Sequence, residues 1–200
     1  MADVLWKTWD ELIPPLICSP SGRYNVDVPL TIRDFKTSDF EALWRIDQTC
    51  FPPGVSYSRA ELRLYLRRRA SFTLVAEGAP PGNGTEPAAT GTEKASAATV
   101  GFIVAEAGAR ARGHIITIDV IGEARRFGVG SLLLRAAEDR LIMAGCRAVE
   151  LETAVDNLSA LSFYERHAYR VVRTFPRYYS NGVDALLLEK TCLLYTSRCV

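Results

Sequence analysis

Hydrophobic positions change period several times along the chain, and each change marks an element. Leu30-Thr31-Ile32-Arg33 alternates as a short strand. Helical spacing follows through Leu43 and Ile46, with Ser38 or Asp39 placed to cap its start. After a loop over 51–57, Ser58 is placed to cap a second helix over 59–69. There Leu62, Tyr65 and Leu66 share one face and the arginines make the solvated side. Alternation returns over 71–77, 100–106 and 114–120, and the last of these strands runs straight into a glycine-rich turn. A helix starts at Gly130, carries Leu132, Leu133, Ala136, Ala137 and Leu141, and stops at Gly145. The next strand is 148–153, where Val149, Leu151 and Thr153 alternate with Glu150 and Glu152. Asp156 or Asn157 caps a helix bearing Leu161 and Tyr164. Strands over 170–175 and 185–189 complete the sheet, joined by a loop with Tyr178, Tyr179 and the turn pair Asn181-Gly182.

Three segments lack this order. Residues 1–29 hold Trp6, Trp9, Pro14-Pro15 and Pro20 without periodicity, which predicts an irregular leader. Residues 78–99 are rich in Gly, Pro, Ala and Thr and too poor in apolar groups to order themselves, so they read as a disordered insert. Cys192 to Ser197 back-translates to a transposase end sequence used in library preparation. Residues 191–200 are therefore expected to be a non-native tail, with the native end near Lys190 or Thr191. The domain proper is 30–190.

Bulk properties narrow the function classes. Of 200 residues, 48% are hydrophobic, enough for one core and one domain. A net charge of +1 provides no global field for nucleic acid or an anionic membrane, so neither is an expected partner. No apolar run reaches the roughly 18 residues of a membrane span, and Asp3 and Asp10 stand where a secretory signal would be basic. A cytoplasmic protein is the expectation. The five cysteines (Cys18, Cys50, Cys146, Cys192, Cys199) are scattered without CxxC spacing, which points away from a disulfide framework or a zinc site; no metal is expected.

The chemistry concentrates at Arg125-Arg126-Phe127-Gly128-Val129-Gly130-Ser131. Gly128 and Gly130 let a bulky anion approach backbone N–H groups, a helix begins there, and Arg125 and Arg126 add fixed charge. That combination suits a pyrophosphate. No lysine follows the second glycine, which excludes a Walker A loop, and Leu133 replaces the third glycine of a dinucleotide fingerprint.

This stretch resembles the R/Q-x-x-G-x-G/A motif of the GNAT acetyltransferase superfamily, and the resemblance runs from about Leu30 to Lys190. Leu151-Glu152, Asp156-Asn157, Phe163-Tyr164-Glu165-Arg166, Arg177-Tyr178-Tyr179 and Asp184-Ala185 are most similar to the ribosomal-protein-alanine N-acetyltransferase group, which acetylates protein N-terminal amines. The resemblance implies an α/β (α+β) fold with a mixed central sheet of about six to seven strands, about four flanking helices, and a splay in the middle for acetyl-CoA. It implies acetyl-CoA as cosubstrate, backbone of Ile118, Asp119 and Val120 along the pantetheine arm, and Asn157 as a further donor-side contact. It also implies Tyr164 as general acid for the leaving thiolate and Glu152 as general base, with His114 the second candidate. Phe51, Pro52, Val55 and Tyr57, with Tyr178 and Tyr179, would form the walls of a peptide groove. The acceptor is then a peptide or protein N-terminus and the assembly a monomer or weak dimer. The loop lacks the Pro-Trp pair common in the bacterial group, and Ala168 stands where relatives place Gly. Two other readings stay open: acetylation of a small amine, and a CoA-binding module without turnover.

Overall fold

The computed structural model describes residues 30–78 and 98–191. The expectations for the leader, for most of the insert and for nearly all of the tail, with Cys18, Cys192 and Cys199, lie outside the described residues.

The alternating segments pair into one sheet: β1 (Thr31–Asp34), β2 (Ser71–Gly78), β3 (Ala98–Ala107), β4 (Arg112–Val120), β5 (Ala148–Ala154), β6 (Arg170–Phe175) and β7 (Ala185–Thr191). Their spatial order is β1-β2-β3-β4-β5-β7-β6, antiparallel throughout except for the parallel pair β4–β5. Four helices accompany it among the described residues: α1 (Phe40–Cys50), α2 (Arg59–Arg67), α3 (Val129–Met143) and α4 (Leu158–Arg166). This is the mixed architecture expected. Gly78 pairs with Ala98 and Glu77 with Thr99, so the β2–β3 ladder extends into both ends of the segment read as an insert.

Local chemistry sets the helix ends. Ser58 accepts a hydrogen bond from the Glu61 N–H while the Glu61 carboxylate accepts from the Ser58 N–H, a reciprocal cap that starts α2. Neither Ser38 nor Asp39 caps α1 with its side chain. The Asp39 carboxylate is instead held by the Arg33 guanidinium and the Lys36 N–H, which build a 3₁₀ turn just before the helix. α2 stops two residues earlier than its arginine run, because Arg68 is extended and its guanidinium lies 4.4 Å over the Tyr65 ring. α3 and α4 end alike. Gly145 (φ 86) closes α3 through Cys146 N–H to Leu141 O and Gly145 N–H to Ile142 O. Ala168 (φ 66) closes α4 through Tyr169 N–H to Tyr164 O and Ala168 N–H to Glu165 O. Ala168 thus keeps the left-handed backbone that glycine usually supplies.

The sheet has a core on each face. Phe40, Leu43, Ile46 and Leu62 from α1 and α2 pack on Val75, Phe102 and Val104. Leu133, Leu134, Ala137 and Leu141 of α3, with Tyr164 of α4, pack on Leu74, Ile103, Val149 and Leu151. Two irregularities then shape the centre. β4 and β5 pair only at Arg112↔Ala148, Gly113↔Val149 and His114↔Glu150, and beyond His114 the strands part. The β3–β4 register shifts so that Val104 faces Thr117 and Ala105 faces Ile115, which leaves Ile116 as a bulge. The gap opens between β4 residues 115–120 and the far half of β5.

Candidate functional site

The turn after β4 borders the gap on the α3 side. Gly128 is left-handed (φ 85) and so is Arg126 (φ 68), a sequence of conformations that turns successive N–H groups toward one concavity. The first bond within α3 runs from Leu132 N–H to Gly128 O at 3.0 Å, so the N–H groups of Val129, Gly130 and Ser131 have no acceptor inside the helix. A side chain at Gly130 would meet the Phe163 ring at 3.4 Å, which keeps that wall close and flat. Arg126 and Phe127 are exposed and Val129 is buried in the core. These are features of an anion cradle, and they fit a pyrophosphate. Two details differ from a simple cradle. Arg125 donates its Nε to the Val120 carbonyl at 3.0 Å, an oxygen that also accepts from Cys50 Sγ at 3.3 Å. Ser131 Oγ is 2.9 Å from His167 Nε2, whose ring packs 4.7 Å from Phe163.

Titratable groups face the gap from three elements. His114, the last β4 residue paired to β5, sets its Nε2 2.7 Å from Glu152 Oε2, and its Nδ1 lies 3.9 Å from Glu106. Burial pulls the His114 imidazole down, but the hydrogen bond and charge of Glu152, with the charges of Glu106 and Glu150, more than offset it and raise its pKa. Tyr164 is buried on α4, and burial together with the charge of Asp119 and Tyr179 pushes its phenol above the ordinary range. Asn157 caps α4, its Oδ1 accepting the Ala160 N–H at 3.1 Å, which leaves its amide nitrogen for other contacts.

On the α1 side, the loop after α1 is folded by Val55 N–H and Ser56 N–H donating to Pro52 O, with Gly54 left-handed at φ 90. Pro52 is exposed, whereas Phe51, Val55 and Tyr57 are partly buried. Tyr57 donates its hydroxyl to the carbonyl of the bulged Ile116 at 3.4 Å and packs on Tyr65 at 5.0 Å. Across the site, Tyr178 stacks on Phe175 and meets Tyr179 edge-on at 5.2 Å. The two loops touch: Ser180 Oγ donates to Gly54 O at 2.8 Å.

Beneath the loop lie two acids: Asp47, which the sequence reading did not assign, and Asp119, for whose side chain it gave no role. Asp47 Oδ2 accepts the Tyr57 N–H and the Gln48 amide, both at 2.9 Å, and so pins the loop to α1. Burial pushes the Asp47 carboxyl up to about 6, with those two donors pulling it back. Asp119, expected to serve through its backbone, has its side chain fully inside. Its Oδ1 accepts the Thr117 hydroxyl at 3.1 Å, and burial with the charge of Asp47 raises its pKa well above the carboxylate range. The missed signal was Asp47 itself, a carboxylate four residues from Leu43 on the apolar stripe of α1. Tyr65 was read only as helix packing.

Comparison with known proteins bears on the fold and the family. N-alpha-acetyltransferase 30 of Schizosaccharomyces pombe is 38% identical over 78 residues, 39% of this chain and 52% of that protein. The chain spans about half the length of the curated relatives it first matches. The crystal structure of Ard1 from Thermoplasma volcanium superposes with a TM-score of 0.67 at 28% identity, covering 82% of this chain and 99% of that one. The ribosomal-protein-S18-alanine N-acetyltransferase of Escherichia coli shares the fold, with a TM-score of 0.65 at 18% identity over 86% of this chain and 99% of that one. Among the described residues no helix is long and apolar enough to cross a membrane. The acetyltransferase (GNAT) family matches residues 40–169, and the chain belongs to that family.

Proposed function

We propose that the protein transfers an acetyl group from acetyl-CoA to the α-amine of a protein or peptide N-terminus by direct attack, in the cytoplasm. The observation that carries this reading is the His114–Glu152 pair and the raised Tyr164 phenol flanking the gap where β4 and β5 part. The cosubstrate supplies a thioester, whose acyl carbon is open to an amine. Val129, Gly130 and Ser131 at the start of α3 would bind its pyrophosphate through backbone N–H groups, helped by the Arg126 charge. Residues 118–120 of β4, unpaired toward β5, offer backbone to the pantetheine arm.

Each proton then has a holder. The His114–Glu152 pair takes the proton that the amine loses, and the carboxylate stabilises the imidazolium that results. Tyr164, kept protonated by burial, gives its proton to the departing thiolate. A peptide α-amine with a pKa near 7.7–8 is already about a quarter neutral at pH 7.4, so a modest base suffices. Phe51, Pro52, Val55 and Tyr57 on one wall, with Tyr178 and Tyr179 on the other, would hold the first residues of the acceptor, and the Ser180–Gly54 bond ties the walls together. The name of the S. pombe relative, an N-alpha-acetyltransferase, supports the choice of acceptor. The test is incubation of the purified chain with acetyl-CoA and peptides beginning Ala, Ser or Met, read by mass spectrometry. Acetylation at the α-amine is expected; acetyl-CoA binding with no acetylated peptide overturns the reading.

A further inference from the structure

Two buried carboxylates form the part of the site with no role in the chemistry above. Asp47 and Asp119 are 0% and 1% exposed. One oxygen of each is satisfied, by the Tyr57 and Gln48 donors and by the Thr117 hydroxyl. The others, Asp47 Oδ1 and Asp119 Oδ2, are buried with no donor among the described residues. Taking an ionised carboxylate out of water without a partner is unfavourable by several kcal/mol, and a like charge nearby adds to it. Stability alone therefore argues for an amide at either position.

The location suggests what the pair meets. Asp119 pairs across the ladder with Phe102 and Thr117 with Val104, and cross-strand partners share a face, so both point to the α1 side. Asp47 faces them from α1. The pair sits under the loop of Tyr57, beside the bulge at Ile116 and next to the gap. The charge of Asp119 is felt by Cys50 on α1, by Tyr57 in the loop and by Tyr164 on α4, which packs on the opposite face of the sheet. Groups from both faces thus converge on one end of β4. The charge of Arg125, whose Nε donates to the Val120 carbonyl, offsets Asp119 only in part.

We propose that Asp47 Oδ1 and Asp119 Oδ2 form an anionic subsite that receives the primary ammonium group of the acceptor on the α1 side of the gap. This rests on the acetyltransferase reading and adds a residue pair to it. An ammonium brings one positive charge and three donors. The two orphaned oxygens accept two of them. A divalent cation would want more oxygen ligands than two carboxylates, and no cluster of three or more His, Cys, Asp or Glu side chains suited to a metal occurs among the described residues. The subsite binds and orients the ammonium, and the proton that the amine loses goes to the His114–Glu152 pair.

The experiment uses Asp119→Asn and Asp47→Asn in the full chain, with three readouts. These are thermal unfolding, steady-state kinetics with an acceptor peptide, and competitive binding of that peptide against its desamino analogue. Expected for Asp119→Asn are a Tm equal to or above wild type, acetyl-CoA affinity within twofold, kcat/KM for the peptide reduced at least tenfold, and at least fivefold loss of preference for the amine over the desamino peptide. Asp47→Asn shifts the same quantities in the same direction. A folded Asn variant with unchanged kcat/KM and unchanged amine preference overturns the inference. So does a drop in Tm in both variants, which assigns the pair to the fold. Wild-type protein that prefers the amine peptide yet yields no acetylated product overturns the activity and leaves the subsite standing.

Discussion

The two sides of the gap are built by different means. On the α3 side, the anion cradle is a run of seven consecutive residues whose chemistry is mostly backbone: left-handed Arg126 and Gly128, and N–H groups at the start of α3. On the α1 side, the groups proposed to meet the acceptor are side chains from separate elements, with Asp47 from α1, Tyr57 from the loop, Asp119 from β4 and Glu152 from β5. A backbone site tolerates change in its side chains and is sensitive to conformation. A side-chain site is the reverse, and substitutions can separate the two.

The largest effect is expected at the proton-handling pair, where only a side chain changes. Glu152→Gln keeps the size of the group and removes the charge that raises His114. Turnover of peptide should fall by about 10²–10³-fold, with acetyl-CoA affinity unchanged. Equal losses in both quantities would break the division between the sides. Next comes the backbone. Gly128→Ala puts a Cβ at φ 85, at an expense of about 1–2 kcal/mol. The KM for acetyl-CoA should rise about tenfold while the KM for the peptide holds steady.

A smaller effect reports the charge buried on the acceptor side. Folded Asp47 keeps its proton up to about pH 6, whereas an unfolded aspartate releases it near pH 4. The folded state therefore binds more protons in that window, and the Asp47 contribution to stability falls as pH rises from about 4 to 6. Asp47→Asn lacks this dependence and can still accept the Tyr57 N–H. The stability difference between variant and wild type should be small at pH 4 and favour the variant by about 1 kcal/mol at pH 7. Denaturant unfolding at both pH values checks it; a pH-independent difference contradicts the buried charge.

The same contrast explains what could be read from the chain. The Ser58 cap, the glycine turn and the Asn157 cap each lie within a few residues, so local chemistry shows them. Expectation failed at Ser38 and Asp39 because Arg33, from another element, claims the Asp39 carboxylate. The parting of β4 and β5 is a matter of register, and periodicity is silent on where pairing stops. Glu152 and His114 were each visible as candidates, but their 2.7 Å contact depends on parallel strands joined through α3. Asp47 and Asp119 are the extreme case. Each reads as an ordinary acid in sequence, and only the stacking of α1 on the bulged end of β4 makes them a pair.

The smallest effect sharpens the backbone half of the comparison. α3 and α4 close with the same pair of hydrogen bonds, but one uses Gly145 and the other Ala168. Ala168→Gly removes the strain of a Cβ at φ 66 and adds freedom to the unfolded chain, and these oppose each other. A net gain of a few tenths of a kcal/mol, up to about 1, is expected in denaturant unfolding. The Tyr169 N–H to Tyr164 O bond survives in the variant, so the end of α4 that carries Tyr164 keeps its place. Unchanged kcat with raised stability would show that Ala168 strain plays no part in aiming the phenol. A fall in kcat with the same gain would mean that the strain holds Tyr164 against the gap, and would make the end of α4 a second conformational element of the site beside Gly128.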